Sequence, residues 1–168
     1  ILLDPSSNPD HTLASSWAGS AQVGGFLGGS LQPLTYELWQ SYVFTSKQAS
    51  GPSDDPDGDG LPNLVEFFLG SLPGKNDAVA SGPRASITDT NGEDYLTFSF
   101  SQVLGQTEVT GLVEVSSNLT DWSSSSAGIK EVLPAVPNGN GSVRRTFRVA
   151  SPVSDVAKQF LRLRVIEN

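Results

Sequence analysis

The hydrophobic pattern changes period once along the chain, near residue 84. Before that point apolar residues recur at helical spacing in two short runs. In the first, Pro33 to Phe44, residues Leu38, Trp39, Tyr42 and Val43 fall on one face of a helix of about three turns. Thr35 can cap this helix, and Leu34 can fold back on Trp39 as a hydrophobic staple. The second run, Pro62 to Leu69, carries Leu61, Leu64, Phe67 and Phe68 at the same spacing. Pro62 suits a first helical position and Gly70 the position just past the end. From Arg84 onward the alternation becomes two-fold. Leu96, Phe98 and Phe100 alternate with Tyr95, Thr97 and Ser99. Val109, Val113 and Val115 share one parity, as do Val143, Phe147 and Val149, and Leu161, Leu163 and Val165 finish the chain. Counting weaker runs near Ile87, Trp122 and Ile129, about seven half-buried strands are expected, with turns at Asn91-Gly92 and from Asn138 to Gly141.

The pattern predicts a mainly β protein in three parts. Residues 1–33, rich in Ser, Gly and Ala, form an extended or irregular N-terminal segment; residues 34–83 hold helix, acidic loop, helix and a linker; residues 84–168 form an Ig/fibronectin type III-like antiparallel β-sandwich. Plentiful Gly (17) and Pro (11) suit short strands joined by tight turns better than a helical bundle. The chain has no Cys, so disulfides and thiolate metal sites are excluded, and stapling falls to packing or to a hard cation held by oxygens. It also has no Met, not even an initiator, and is expected to be a processed piece of a longer precursor. No apolar run approaches the roughly 20 residues that cross a bilayer, so no membrane insertion is expected. The net charge of −8 is concentrated in residues 1–83, where nine Asp and Glu face only Lys47 and Lys75. That balance argues against nucleic acid as a partner, because phosphate binding needs a basic surface.

The strongest chemical signal lies in this acidic half. Asp55-Pro56-Asp57-Gly58-Asp59-Gly60-Leu61-Pro62-Asn63-Leu64-Val65-Glu66 fits D-x-[DN]-x-[DN]-G-x5-E at every specified position. Calcium takes six to eight oxygens, and a chain that serves it must curl so that alternate side chains point to one centre. Asp55, Asp57 and Asp59 would supply carboxylates, Leu61 its carbonyl, Asn63 a direct or water-mediated oxygen, and Glu66 a bidentate carboxylate, with Gly60 at the sharp turn. One calcium ion is expected. A loop this flexible and this rich in carboxylates suits calcium better than magnesium. A solvated acidic turn is the competing reading, but it leaves the spacing of Asn63 and Glu66 a coincidence. Roughly ten residues separate the first helix from Asp55, and there is no Met-rich groove, so a rigidifying site is expected rather than a switch.

The string from Asp55 to Gly70 resembles the thrombospondin type 3-like and dockerin-like calcium repeats near the C-termini of large secreted bacterial proteins. Val113 to Ser123 and Phe160 to Val165 resemble strands of the small sandwich that often follows such repeats. Leu13 to Trp17 with Gly24-Gly25 is similar to the tail of a lamin-tail-like domain. The resemblance implies an exported, multidomain context, secreted or on the cell surface; it does not imply an enzyme or name a ligand.

No catalytic residue is expected. His11 is the only imidazole and sits in a polar stretch, and the adjacent Glu93 and Asp94 flank a turn as solvated charge. Trp17, Trp39 and Trp122 offer rings for sugar stacking, although Trp39 and Trp122 suit core packing better. Ile1-Leu2-Leu3 can add as a strand to a sheet edge on another copy. Arg144, Arg148, Arg162 and Arg164 can form a basic outer face complementary to the acidic half, which would allow head-to-tail filaments, although alternating arginines on a sheet are more often simply a solvated face. Asn118 and Asn140 lie in N-glycosylation patterns and serve as surface markers. The expected function is that of a non-catalytic, calcium-stabilised extracellular structural module for surface attachment or self-assembly. Its partners would be copies of itself or other surface proteins. The alternative is a carbohydrate-binding module of a secreted enzyme or adhesin, with a polysaccharide as partner.

Overall fold

The computed structural model describes residues 34–45 and 49–168. The expectations placed on Ile1 to Leu3, His11, Trp17 and the rest of residues 1–33 lie outside the described residues. Two short helices come first. Helix α1, Tyr36–Val43, starts where Thr35 Oγ1 accepts the Leu38 amide, as its cap position requires. It is two turns long, shorter than the pattern suggests. Helix α2, Asn63–Leu69, has Pro62 at its N-cap rather than inside its first turn, and it stops at Gly70, whose φ of 81° lies in the left-handed region. A one-turn helix, α3, Ala78–Ser81, interrupts the segment expected to be plain linker.

The rest is antiparallel sheet. Strands β1 (Arg84–Thr90), β2 (Glu93–Val103), β4 (Ile129–Pro137) and β5 (Ser142–Val149) form a four-stranded sheet in the order β1-β2-β5-β4. Strands β3 (Val109–Ser116) and β6 (Phe160–Glu167) form a second, two-stranded sheet. Asn91 and Gly92 turn β1 into β2 with φ of 58° and 85°, the left-handed pair that a tight hairpin of this twist needs. Six strands are present among the described residues, not seven. Near Trp122 there is only an isolated bridge between Ser123 and Val115. The surrounding Ser run offers no alternating apolar face to hold a longer pairing.

One core joins helices and sheets. Tyr36 and Trp39 from α1, Phe67, Phe68 and Leu69 from α2, Phe98 and Phe100 from β2, Val109 and Val113 from β3, and Ile129 from β4 form a single buried cluster. Phe67 stands edge-on to Tyr36 at 5.5 Å, and Phe68 meets Phe100 at 5.9 Å. Phe68 reaches this depth because β3 is bare at Gly111. A Cβ there would sit 2.3 Å from Phe68 Cζ, so only glycine lets the ring lie on the strand.

The four arginines expected on one basic face divide between the two sheets. Arg148 lies over the Tyr95 ring on the larger sheet, whereas Arg162 and Arg164 flank the buried Glu114 on the smaller one. The chain changes sheets between β5 and β6, so residues that alternate alike in sequence end up on different surfaces. Trp39 is buried, as the helix face predicts. Trp122 is not in the core: it lies under the Arg162 guanidinium at 4.1 Å.

Candidate metal centre

The loop before α2 is curled by its own carboxylates. Asp55 Oδ1 accepts the amides of Gly58 and Asp59, and its Oδ2 accepts that of Gly60. Asp57 Oδ1 accepts the Asp59 amide, and Asp59 Oδ1 accepts that of Leu61. Gly58 and Gly60 turn the chain with φ of 73° and 92°, a conformation that side-chain-bearing residues rarely adopt. The result brings one carboxylate oxygen each from Asp55, Asp57 and Asp59 within 4.8 Å of one another. Three like charges so close repel one another unless a cation or protons intervene.

Helix α2 contributes the other two side chains, and both are fully buried. The Asn63 amide nitrogen is committed to the carbonyls of Ala49 (3.0 Å) and Gly51 (2.8 Å), which leaves Oδ1 as an acceptor with no donor among the described residues. Among the described residues Glu66 receives one long hydrogen bond on Oε1, from Ser71 Oγ at 3.4 Å, and its Oε2 has no partner. Asp57 Oδ2 is likewise buried and unpartnered. Burial, followed by the nearby carboxylates of Asp57, Asp59 and Asp55, pushes the Glu66 carboxyl from 4.5 up to about 8. Burial also raises Asp57. Leaving a buried acceptor unmet costs about 1–3 kcal/mol, and more for a charged group. The donor set is hard oxygen throughout, which suits calcium. Leu61, expected to give its carbonyl, is half-buried at the right place in the loop and packs against the core cluster.

Two features were not legible in the motif. The stitching of Asn63 to Ala49 and Gly51 uses backbone carbonyls, which leave no mark in the sequence. Tyr36 Oη and Gln40 Nε2 both donate to the Ser50 carbonyl, so α1, the 49–51 turn and α2 are tied together beside the loop. Asp59 also has a second role. Its Oδ2 accepts the amides of Asp77 (3.0 Å) and Ala78 (2.7 Å), which fastens the start of α3 to the loop.

Comparison with known proteins does not assign the chain. No protein-family model, curated protein or solved structure matches it.

Proposed function

We propose that Asp55 to Glu66 is an EF-hand-type loop holding one calcium ion, and that the chain is a non-catalytic, calcium-stabilised structural module that works outside the cell. Asp55, Asp57 and Asp59 would give carboxylate oxygens, Leu61 its carbonyl, Asn63 its Oδ1 and Glu66 its carboxylate. The observation that carries this reading is a set of buried oxygens without donors among the described residues, Asn63 Oδ1, Glu66 Oε2 and Asp57 Oδ2, together with the clustering of Asp57 with Asp55 and Asp59. Bound there, the ion would neutralise the carboxylates and join loop to helix. A structural role fits because Glu66 is followed directly by the core residues Phe67 and Phe68.

The sheet order supports an immunoglobulin-like reading. β1-β2-β5-β4 over β3-β6 corresponds to the A-B-E-D and C-F strands of the seven-stranded constant-type sandwich, without its last strand. The outer edge of β6 has no partner among the described residues, and its inward Leu161, Leu163 and Val165 are only half-buried. An open edge of this kind favours attachment or self-assembly by strand addition.

Calorimetric titration with calcium, paired with thermal melts, tests the central claim. The wild type should bind one ion and melt higher when loaded, and Asp57→Ala and Glu66→Ala should do neither. A wild type that neither binds calcium nor gains stability from it would refute the reading.

A further inference from the structure

Six arginines lie among the described residues, and four of them have partners. Arg145 is paired with Glu131, Arg162 and Arg164 with Glu114, and Arg148 with the Tyr95 ring. The side chains of the remaining two, Arg84 and Arg144, make no ion pair, hydrogen bond or ring contact among the described residues, and both residues line the same cavity of about 250 Å³. The strand register explains why they meet. Arg84 on β1 pairs with Ser99, and Arg144 on β5 pairs with Ser101, so both arginines share a face with these serines and flank β2 from its two sides. In a protein of net charge −8, a cavity that two guanidiniums line and no acidic residue enters is an electrostatic exception.

We propose that this cavity is a binding site for an acidic saccharide, with the arginines holding a uronate carboxylate. A guanidinium presents a planar fork of donors that matches a carboxylate. The rest of the lining is mostly hydroxyl and amide. Asn138 spends its amide nitrogen on Ser101 and Ser142, which leaves its carbonyl oxygen as an acceptor; Asn140 spends its Oδ1 on Ser142, which leaves its amide nitrogen as a donor. Alternating donors and acceptors of this kind suit sugar hydroxyls. The cavity is smaller than the roughly 300–1,000 Å³ of drug-sized sites, so it has room for about one sugar ring, with the remainder of an oligosaccharide outside. Phe100 is the only aromatic residue in the lining, so recognition would be polar and would weaken with salt.

Calorimetry or affinity electrophoresis on the calcium-loaded full chain, with a hyaluronan tetrasaccharide as probe, tests the site. Binding should weaken by about tenfold in Arg84→Gln and again in Arg144→Gln, the scale of one charge-assisted hydrogen bond each. Arg162→Gln should bind as the wild type does, and thermal melts with and without calcium should be unchanged in Arg84→Gln and Arg144→Gln. Absence of tetrasaccharide binding overturns the proposal. So would equal affinity for neutral cellotetraose, an equal loss in Arg162→Gln, or sodium sulfate alone binding as tightly as the sugar. Because the melts report calcium stabilisation separately, failure of the sugar site leaves the calcium reading to stand or fall by itself.

Discussion

Raising the pH should loosen the protein when it is free of metal, and Glu66 is the cause. Its carboxyl is fully buried, faces Asp57, Asp59 and Asp55, and has one weak donor in Ser71. In the unfolded chain it titrates at its ordinary 4.5, whereas in the ion-free fold it titrates at about 8. Between those values the folded form binds more protons than the unfolded form, so stability is full at the acid end and falls as pH rises. At about 1.4 kcal/mol per pH unit, the ion-free fold loses up to about 5 kcal/mol between 4.5 and about 8. Asp57, raised for the same reason, acts in the same direction, whereas Glu131, held down by Arg145, acts in the opposite one. Calcium competes with the Glu66 proton, so apparent affinity should climb by up to about tenfold per pH unit and level off above the titration. Urea unfolding in chelator and in calcium, at several pH values spanning the titration, reads both effects. Glu66→Gln should abolish most of the slope in chelator, exceed the wild type at alkaline pH, and gain nothing from calcium. If the wild type in chelator holds level or strengthens as pH rises, Glu66 is already ionised and satisfied, and the reasoning is wrong.

Three further outcomes are expected. Gly111→Ala should cost about 1–3 kcal/mol by forcing a Cβ into Phe68; in urea melts, adding Phe68→Leu should recover part of that loss, and strictly additive effects would contradict the packing. Asp59→Ala removes a loop carboxylate and the acceptor for the Asp77 and Ala78 amides. Calcium binding should disappear in calorimetry, and limited proteolysis between Ser71 and Pro83 should accelerate. Glu131→Gln removes the charge and one of the two acceptors that hold Arg145 at 2.6 and 2.7 Å, and should cost about 1–3 kcal/mol in urea melts, with the heat of calcium binding unchanged.

Periodicity located the helices and most of the strands because burial on one face leaves a regular trace. Phe98 and Phe100 are buried on the alternation that predicts them, and Gly70 ends its helix as its position implies. The helical spacing also put Asn63 and Glu66 on the helix that follows the three aspartates in sequence. Contacts between distant segments were less legible. Arg144 and Arg162 look equivalent in sequence, yet a change of sheet separates them, and Trp122 resembles a core residue until the Arg162 guanidinium is found over it. Gly111 could have been read, since a glycine inside a valine-rich strand signals close approach by another group. The Ala49 and Gly51 carbonyls that orient Asn63 could not, because any residue offers a carbonyl.

The adjacency of Glu66 to Phe67 and Phe68 bears on how the core and the loop would assemble. The residue that would grip the ion and the rings that fill the core are consecutive on one short helix, so completing the core and occupying the loop would be one event. Were the proposed ion absent, the aromatic helix would dock weakly and leave a looser chain. Were it present, loop and core would lock together, and a single unfolding transition would report both.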